Sequence, residues 1–236
     1  MNVLLLIVGA VIAISVFVGY RKGLVRIIAS LLATVLIVTL VGVIAPYMSK
    51  WIQQGTPLKE RIHEKVVAML LSENDENADE SLLNQEIAKE QQITLLENAK
   101  VPDVFRQSLL ENNNYEAYAR LGVESFGEYV GAYIAKVISD ILAFLIALII
   151  VTVAVGILIK MLGLIDKLPL IGGMNRVAGG AVGIGIGIVV VWVLFLVIVL
   201  FYDTSMGKAC FEQIEGNKIL SYLYSGNPLM KYVMRF

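Results

Sequence analysis

One cysteine in 236 residues excludes an intrachain disulfide and a cysteine-rich metal centre. Free cysteines pack inertly far more often than they react, so Cys210 is read as a small apolar filler. The chain is equally short of histidine. His63, its only one, stands beside Glu64, and a catalytic base needs partners that hold it in place. His63 is therefore read as a solvated side chain, and the chain as non-enzymatic, with no cofactor and no metal site. A formal net charge of −1, without a basic stripe interleaved with aromatics, excludes a nucleic-acid partner. No stretch alternates apolar and polar residues long enough to make a strand. What the chain has in quantity is apolar residues, 58% of the total, at a mean hydropathy of +0.77. They come in long blocks, so the partner implied is a lipid bilayer.

The first two blocks meet at Gly19-Tyr20-Arg21-Lys22-Gly23. Residues 1–19 carry no charged side chain, and Leu24 to Ala45 carries only Arg26. About 20 residues of helix cross a ~30 Å hydrocarbon core, so each flank can span a membrane and the stretch between them is a tight turn. Lys and Arg in short loops stay on the cytoplasmic side, which places Arg21, Lys22 and Arg26 inside and the N-terminus outside. Positive charge after the apolar run is also the wrong order for a signal peptide. Small residues four apart, Gly9 with Ala13, Ser15 with Gly19, Ala29 with Ala33 and Ser30 with Thr34, offer flat ridges for helix packing. Pro46 is expected to end the second span.

Residues 46–135 hold fifteen acids against eight bases and are expected to form a helical extracytoplasmic domain. Thr56-Pro57 reads as a helix start, with a capping hydroxyl and a proline at the first position. Leu58, Ile62, Val66 and Leu70 then share one face. Residues 72–80 form a charged loop, Leu83, Ile87, Leu95 and Leu96 mark a second amphipathic stretch, and Pro102 opens a third helix that Asn112-Asn113-Asn114 breaks. The aromatics Tyr115, Tyr118, Phe126, Tyr129 and Tyr133 are expected at the headgroup level.

The second membrane pair, 136–201, begins with a span at about 137–159. Asp140, at its margin, is one helical turn from Lys136 and is read as a paired surface acid. The inner loop 160–176 carries Lys160, Lys167 and Arg176 against Asp166, with a turn at Leu168-Pro169 to Gly172-Gly173. The last span is glycine-rich. Gly179, Gly183 and Gly187 form a ridge that could pack on the first hairpin or on a second copy in a homo-oligomer. Val191, higher on the same span, is expected to tolerate leucine. Gly183-Ile184-Gly185-Ile186-Gly187 lacks both the G-x-G-x-x-G spacing and the preceding strand of a dinucleotide loop. The segment 202–236 is an extracytoplasmic tail, with Leu229, Val233 and Phe236 on one face of a short interfacial helix. The fold class is thus an all-α integral membrane protein with four transmembrane helices and a mainly helical extracytoplasmic insertion, multi-pass in the cell membrane with both termini outside.

Two blocks of residues carry a family resemblance. Gly19-Tyr20-Arg21-Lys22-Gly23-Leu24-Val25 after one span, and Gly172-Gly173-Met174-Asn175-Arg176 with Gly179-Gly180 before a glycine-rich span, make the chain similar to the bacterial colicin V production protein (CvpA) family. The resemblance implies a four-span inner-membrane protein associated with production or export of a peptide toxin and with envelope maintenance. That family supplies no agreed catalytic residues, so Arg21, Gly23, Asn175, Arg176, Gly179 and Gly183 match as structural positions.

The leading function is therefore a membrane module for bacteriocin production or secretion and envelope homeostasis, meeting envelope or secretion proteins through the acidic insertion. The alternative is an oligomeric small transporter or channel. Transporters usually bury ionisable groups or break helices near the midplane, whereas these spans offer only hydroxyls and glycines there.

Overall fold

The computed structural model describes residues 2–72, 89–98, 101–161 and 173–234. Every regular element among them is an α-helix: α1 (Val3–Gly55), α2 (Leu58–Ser72), α3 (Lys89–Asn98), α4 (Asp103–Glu111), α5 (Tyr115–Leu121), α6 (Phe126–Met161), α7 (Gly173–Leu200), α8 (Ser205–Glu215), α9 (Lys218–Ser225) and α10 (Pro228–Val233). Four segments are long and apolar enough to cross a membrane: Val3–Leu24, Ile27–Gly55, Phe126–Met161 and Gly173–Leu200. The chain is an all-α membrane protein. Arg26's side chain, Lys167, the charged run after Ser72, Leu83, Ile87, the turn at 168–172, Arg235 and Phe236 lie outside the described residues.

The chain divides into two compact units, Met1–Met48 with Leu142–Tyr232 and Ser49–Ile141 with Val233–Phe236. In the first, the membrane unit, α1 breaks at Gly23, whose φ of 75° and ψ of 163° leave the helical region. A positive φ is cheap only without a Cβ, so the expected turn between the spans resolves to this one residue.

Pro46 does not end the second span. It lies inside α1, which continues to Gly55. Proline lacks the N–H that would bond to the carbonyl four residues back, which frees the oxygen of Gly42. Tyr232 donates its hydroxyl to that oxygen at 3.0 Å. A freed backbone group in a membrane helix is tolerated when another group satisfies it, and a side chain 190 residues away does so here.

In the second, the polar unit, α2 buries Val66 and Leu70, while Leu58 and Ile62 are half-buried. α2 starts just after Thr56-Pro57, and the Thr56 hydroxyl donates to Ile52 O at 2.7 Å at the end of α1. Pro102 does precede α4, which buries Phe105 and Leu109. Asn114 closes the break at 112–114 by accepting from Ala117 N and so starting α5.

The tyrosines depart furthest from expectation. Tyr129 and Tyr133 are fully buried in this unit, packed against protein and not turned outward as interfacial rings would be. Tyr118 stacks on Tyr129 with ring centroids 4.8 Å apart, and Phe126 and Tyr133 flank the same ring. Each buried hydroxyl reaches a backbone carbonyl, Leu109 O at 2.9 Å and Met234 O at 3.2 Å. With the polar tip satisfied, the large apolar ring gains by leaving water. Of the five aromatics, Tyr115 is the one left well exposed.

Candidate functional site

The membrane unit is built on the glycines of α7. A Cβ on Gly179 would lie 2.5 Å from Gly19 O and 2.8 Å from the carbonyl carbon of Gly23. One on Gly183 would lie 2.5 Å from Ser15 O and 3.0 Å from Val16 Cα, and one on Gly187 3.1 Å from Ile12 Cα. The partner residue falls from 19 to 12 as the glycine rises from 179 to 187, so the two helices run antiparallel in contact. The ridge therefore faces the first span of the same chain. Gly19 mirrors Gly179, since its own Cβ would collide with Gly179 O. At Gly19, Gly179 and Gly183 the hydrogen carried in place of Cβ points toward a carbonyl oxygen across the seam, while Gly187 faces Ile12 Cα and the Ser15 side chain. Such Cα–H···O contacts are worth about 0.5–1 kcal/mol each.

Only some of the small-residue pairs take part. Ser15 and Gly19 lie in the seam, whereas Gly9 has no atom near its Cβ position and is exposed with Ala13. Gly185 likewise meets nothing. Val191 is fully buried, so a leucine there would have to be accommodated inside the protein.

The seam also gathers charge at one end of the unit. Gly23 packs against Asn175, whose Nδ2 would be 2.5 Å from a Cβ at Gly23. Arg21 and Lys22 on the turn and Arg176 beside Asn175 are brought to that end with their side chains exposed. Arg21 lies over the Phe17 ring at 5.8 Å. Lys160 is exposed in the last turn of α6.

At the opposite end Asn227 holds the tail. Its side chain is fully buried. Oδ1 accepts from Leu229 N and Met230 N, capping α10, and Nδ2 donates to Trp192 O at 3.0 Å. Trp192 returns a bond from its indole N–H to Leu223 O. Tyr224 sits edge-on between Phe195 and Phe211, and among the described residues its buried hydroxyl has no hydrogen-bond partner. Cys210 is half-buried, and burial pushes its thiol pKa up, which favours the unreactive thiol over the thiolate.

In the polar unit, Asp140 has more partners than the sequence suggested. Lys136 donates to Oδ2 at 2.7 Å, Ser49 donates to Oδ1, and Gln53 Nε2 donates to Ser49 Oγ at 2.8 Å. Ser49 is buried while the ion pair is partly exposed. The carboxylate thus clamps α1 to α6 and keeps a neutralising cation. Ser49 and Gln53, four apart on one helix, were the available signal.

His63 is half-buried against Gly131, where a Cβ would be 2.6 Å from the imidazole Cδ2. It lines an open cleft of about 330 Å³ with Glu60, Glu64, Glu128 and Ala132. Among the described residues no three His, Cys, Asp or Glu side chains come together as a metal site would need.

Comparison with known proteins gives one result. A search of curated proteins and a search of solved structures each return no match. A family model does match, over residues 117–227, from within α5 to the Asn227 that anchors the tail. It includes the glycine side of the seam and leaves out the first hairpin with its Gly19–Val25 turn. Over that segment, just under half its length, the chain is similar to the colicin V production protein family.

Proposed function

We propose that this protein is a non-enzymatic, multi-pass module of the cell membrane that supports peptide-toxin production or secretion and envelope homeostasis. The observation that carries this reading is that both α6 and α7, the two most apolar spans, lie inside the segment matching the colicin V production family. The cationic end formed by Arg21, Lys22 and Arg176 supports a cytoplasmic position for the two short loops, and so extracytoplasmic termini. The acidic segment 46–135 is then the surface offered to envelope or secretion proteins.

Deleting the gene tests the reading. Toxin released into the medium should fall and detergent sensitivity rise, with both restored by the wild-type chain. Unchanged export and an unchanged envelope would contradict it, and solute flux through vesicles of the purified protein would favour an oligomeric transporter. Orientation is checked with an impermeant thiol reagent on intact cells in a Cys210→Ser background. Ser81→Cys should label and Asp166→Cys should not.

A further inference from the structure

We propose that residues 218–233, α9 with α10, form a re-entrant element seated in the hydrocarbon layer of the leaflet farther from the cationic end, with Ile219 and Tyr222 facing lipid. The first argument is depth. Sixteen residues separate Arg176 from Trp192 and Lys160 from Phe144, and fifteen separate Ile27 from Gly42. At a helical rise of roughly 1.5 Å per residue, each contact point lies about 22–24 Å from the cationic end. The hydrocarbon core is ~30 Å thick, so all three points fall inside it.

The tail touches all three. Asn227 and Leu223 bond to Trp192, the Tyr232 ring lies 6.4 Å from that of Phe144, and its hydroxyl reaches Gly42 O. A tail resting in water beyond the spans would meet only their last turn.

The second argument is independent of depth. Backbone leaving a helix within a membrane must have its polar groups satisfied. Between α9 and α10 every amide is. Gly226 N donates to Tyr222 O, Asn227 N to Tyr224 O, Leu229 N and Met230 N to Asn227 Oδ1, and Lys231 N to Asn227 O. Pro228 has no N–H to satisfy.

The third argument is the character of α9. It buries Leu220 and Tyr224 against the bundle, yet exposes Ile219 and Tyr222, the latter to 79%. The exposed face also carries Lys218, Ser221 and Ser225, so Ile219 and Tyr222 are the apolar positions on an otherwise polar side that are set to meet lipid. Lys218 and Lys231 are exposed, and their long stems let the ammonium groups reach lipid phosphates while the helix stays below them.

The test uses the full chain with Cys210→Ser, reconstituted in vesicles of phosphatidylethanolamine and phosphatidylglycerol. Nitroxide labels go on Tyr222→Cys and Ile219→Cys, both exposed, so neither label displaces packed atoms. Ile149→Cys, exposed on α6, serves as the lipid reference and Glu124→Cys as the aqueous one. Collisions with oxygen and with a water-soluble nickel chelate are measured. The Tyr222 and Ile219 labels should lose nickel access and gain oxygen access relative to Glu124, approaching Ile149. Nickel access equal to that of Glu124 at either position would overturn the inference. A nickel-accessible Ile149 label would overturn the four-span reading on which it rests, and the inference with it.

Discussion

Gly183 and Tyr129 stand at the centres of the two units and solve the same problem in opposite ways. At Gly183 the membrane unit brings two helices together by having no side chain at all. At Tyr129 the polar unit fills its centre with a ring stacked on Tyr118 and flanked by Phe126 and Tyr133. Water rewards removal of a large apolar side chain from solvent. Lipid does not, because an acyl chain is as good a neighbour as leucine. Helices in lipid associate through close backbone contact and hydrogen bonds. The glycines of α7 and the rings of α5 and α6 are what each solvent selects.

The contrast breaks most visibly at Gly183. Gly183→Leu puts a branched side chain where Cβ alone would meet Ser15 O at 2.5 Å. Ordinary overpacking costs about 1–3 kcal/mol, and here the obstacle is backbone that cannot rotate aside. Loss of the assembled bundle is expected, read as loss of a cooperative thermal transition in detergent. Gly185→Leu, two residues away with open space around it, should leave the transition unchanged.

Phe105→Ala is the matching change in the polar unit. Removing a fully buried phenylalanine costs about 3–5 kcal/mol. Hydrogen exchange should quicken at the α4 amides while those of α7 stay protected. Equal loss in both would show that the units do not hold themselves together separately.

Two smaller effects follow in the tail. Asn227→Ala removes the cap of α10 and should cost about 1–2 kcal/mol, seen as a lower melting temperature and freer exchange of the Leu229 and Met230 amides. Tyr224→Phe removes a buried hydroxyl with no partner among the described residues. An unsatisfied buried group is a cost, not a contribution, so the melting temperature should stay level or rise slightly.

Much of the membrane unit was legible in the sequence because its signals are local. Uncharged runs of helical length mark the spans, and glycines four apart mark a ridge. Which neighbour the ridge would meet was not local, and the same limit explains the error at Pro46. A proline ends a helix unless something satisfies the carbonyl it frees, and Tyr232 lies 190 residues from that carbonyl. The tyrosines were misplaced for a related reason. A tyrosine suits an interface or a core equally well, and the outcome depends on whether a carbonyl such as Leu109 O lies within reach.

The tail did carry an unread signal. Gly216-Asn217 and Gly226-Asn227 repeat ten residues apart, each glycine following a helix and each asparagine capping the next. Thr204 caps α8 by accepting from Gly207 N, and the two breaks after it mark three short helices where one interfacial helix was expected. The polar unit's His63 cleft remained invisible because it needs α2 and α6 to be brought together.

The seam between the first and fourth spans is tested most directly by a disulfide across it. Ser15 Cβ lies 3.2 Å from the position a Cβ would take on Gly187, close to the usual disulfide separation of about 3.5–4.5 Å. The chain carrying Ser15→Cys, Gly187→Cys and Cys210→Ser is oxidised in native membranes and analysed by non-reducing gel and mass spectrometry. Both thiols should be lost while the chain remains a monomer. Covalent dimer as the main product, or two free thiols under oxidant that crosslinks other membrane pairs, would contradict an intramolecular glycine seam.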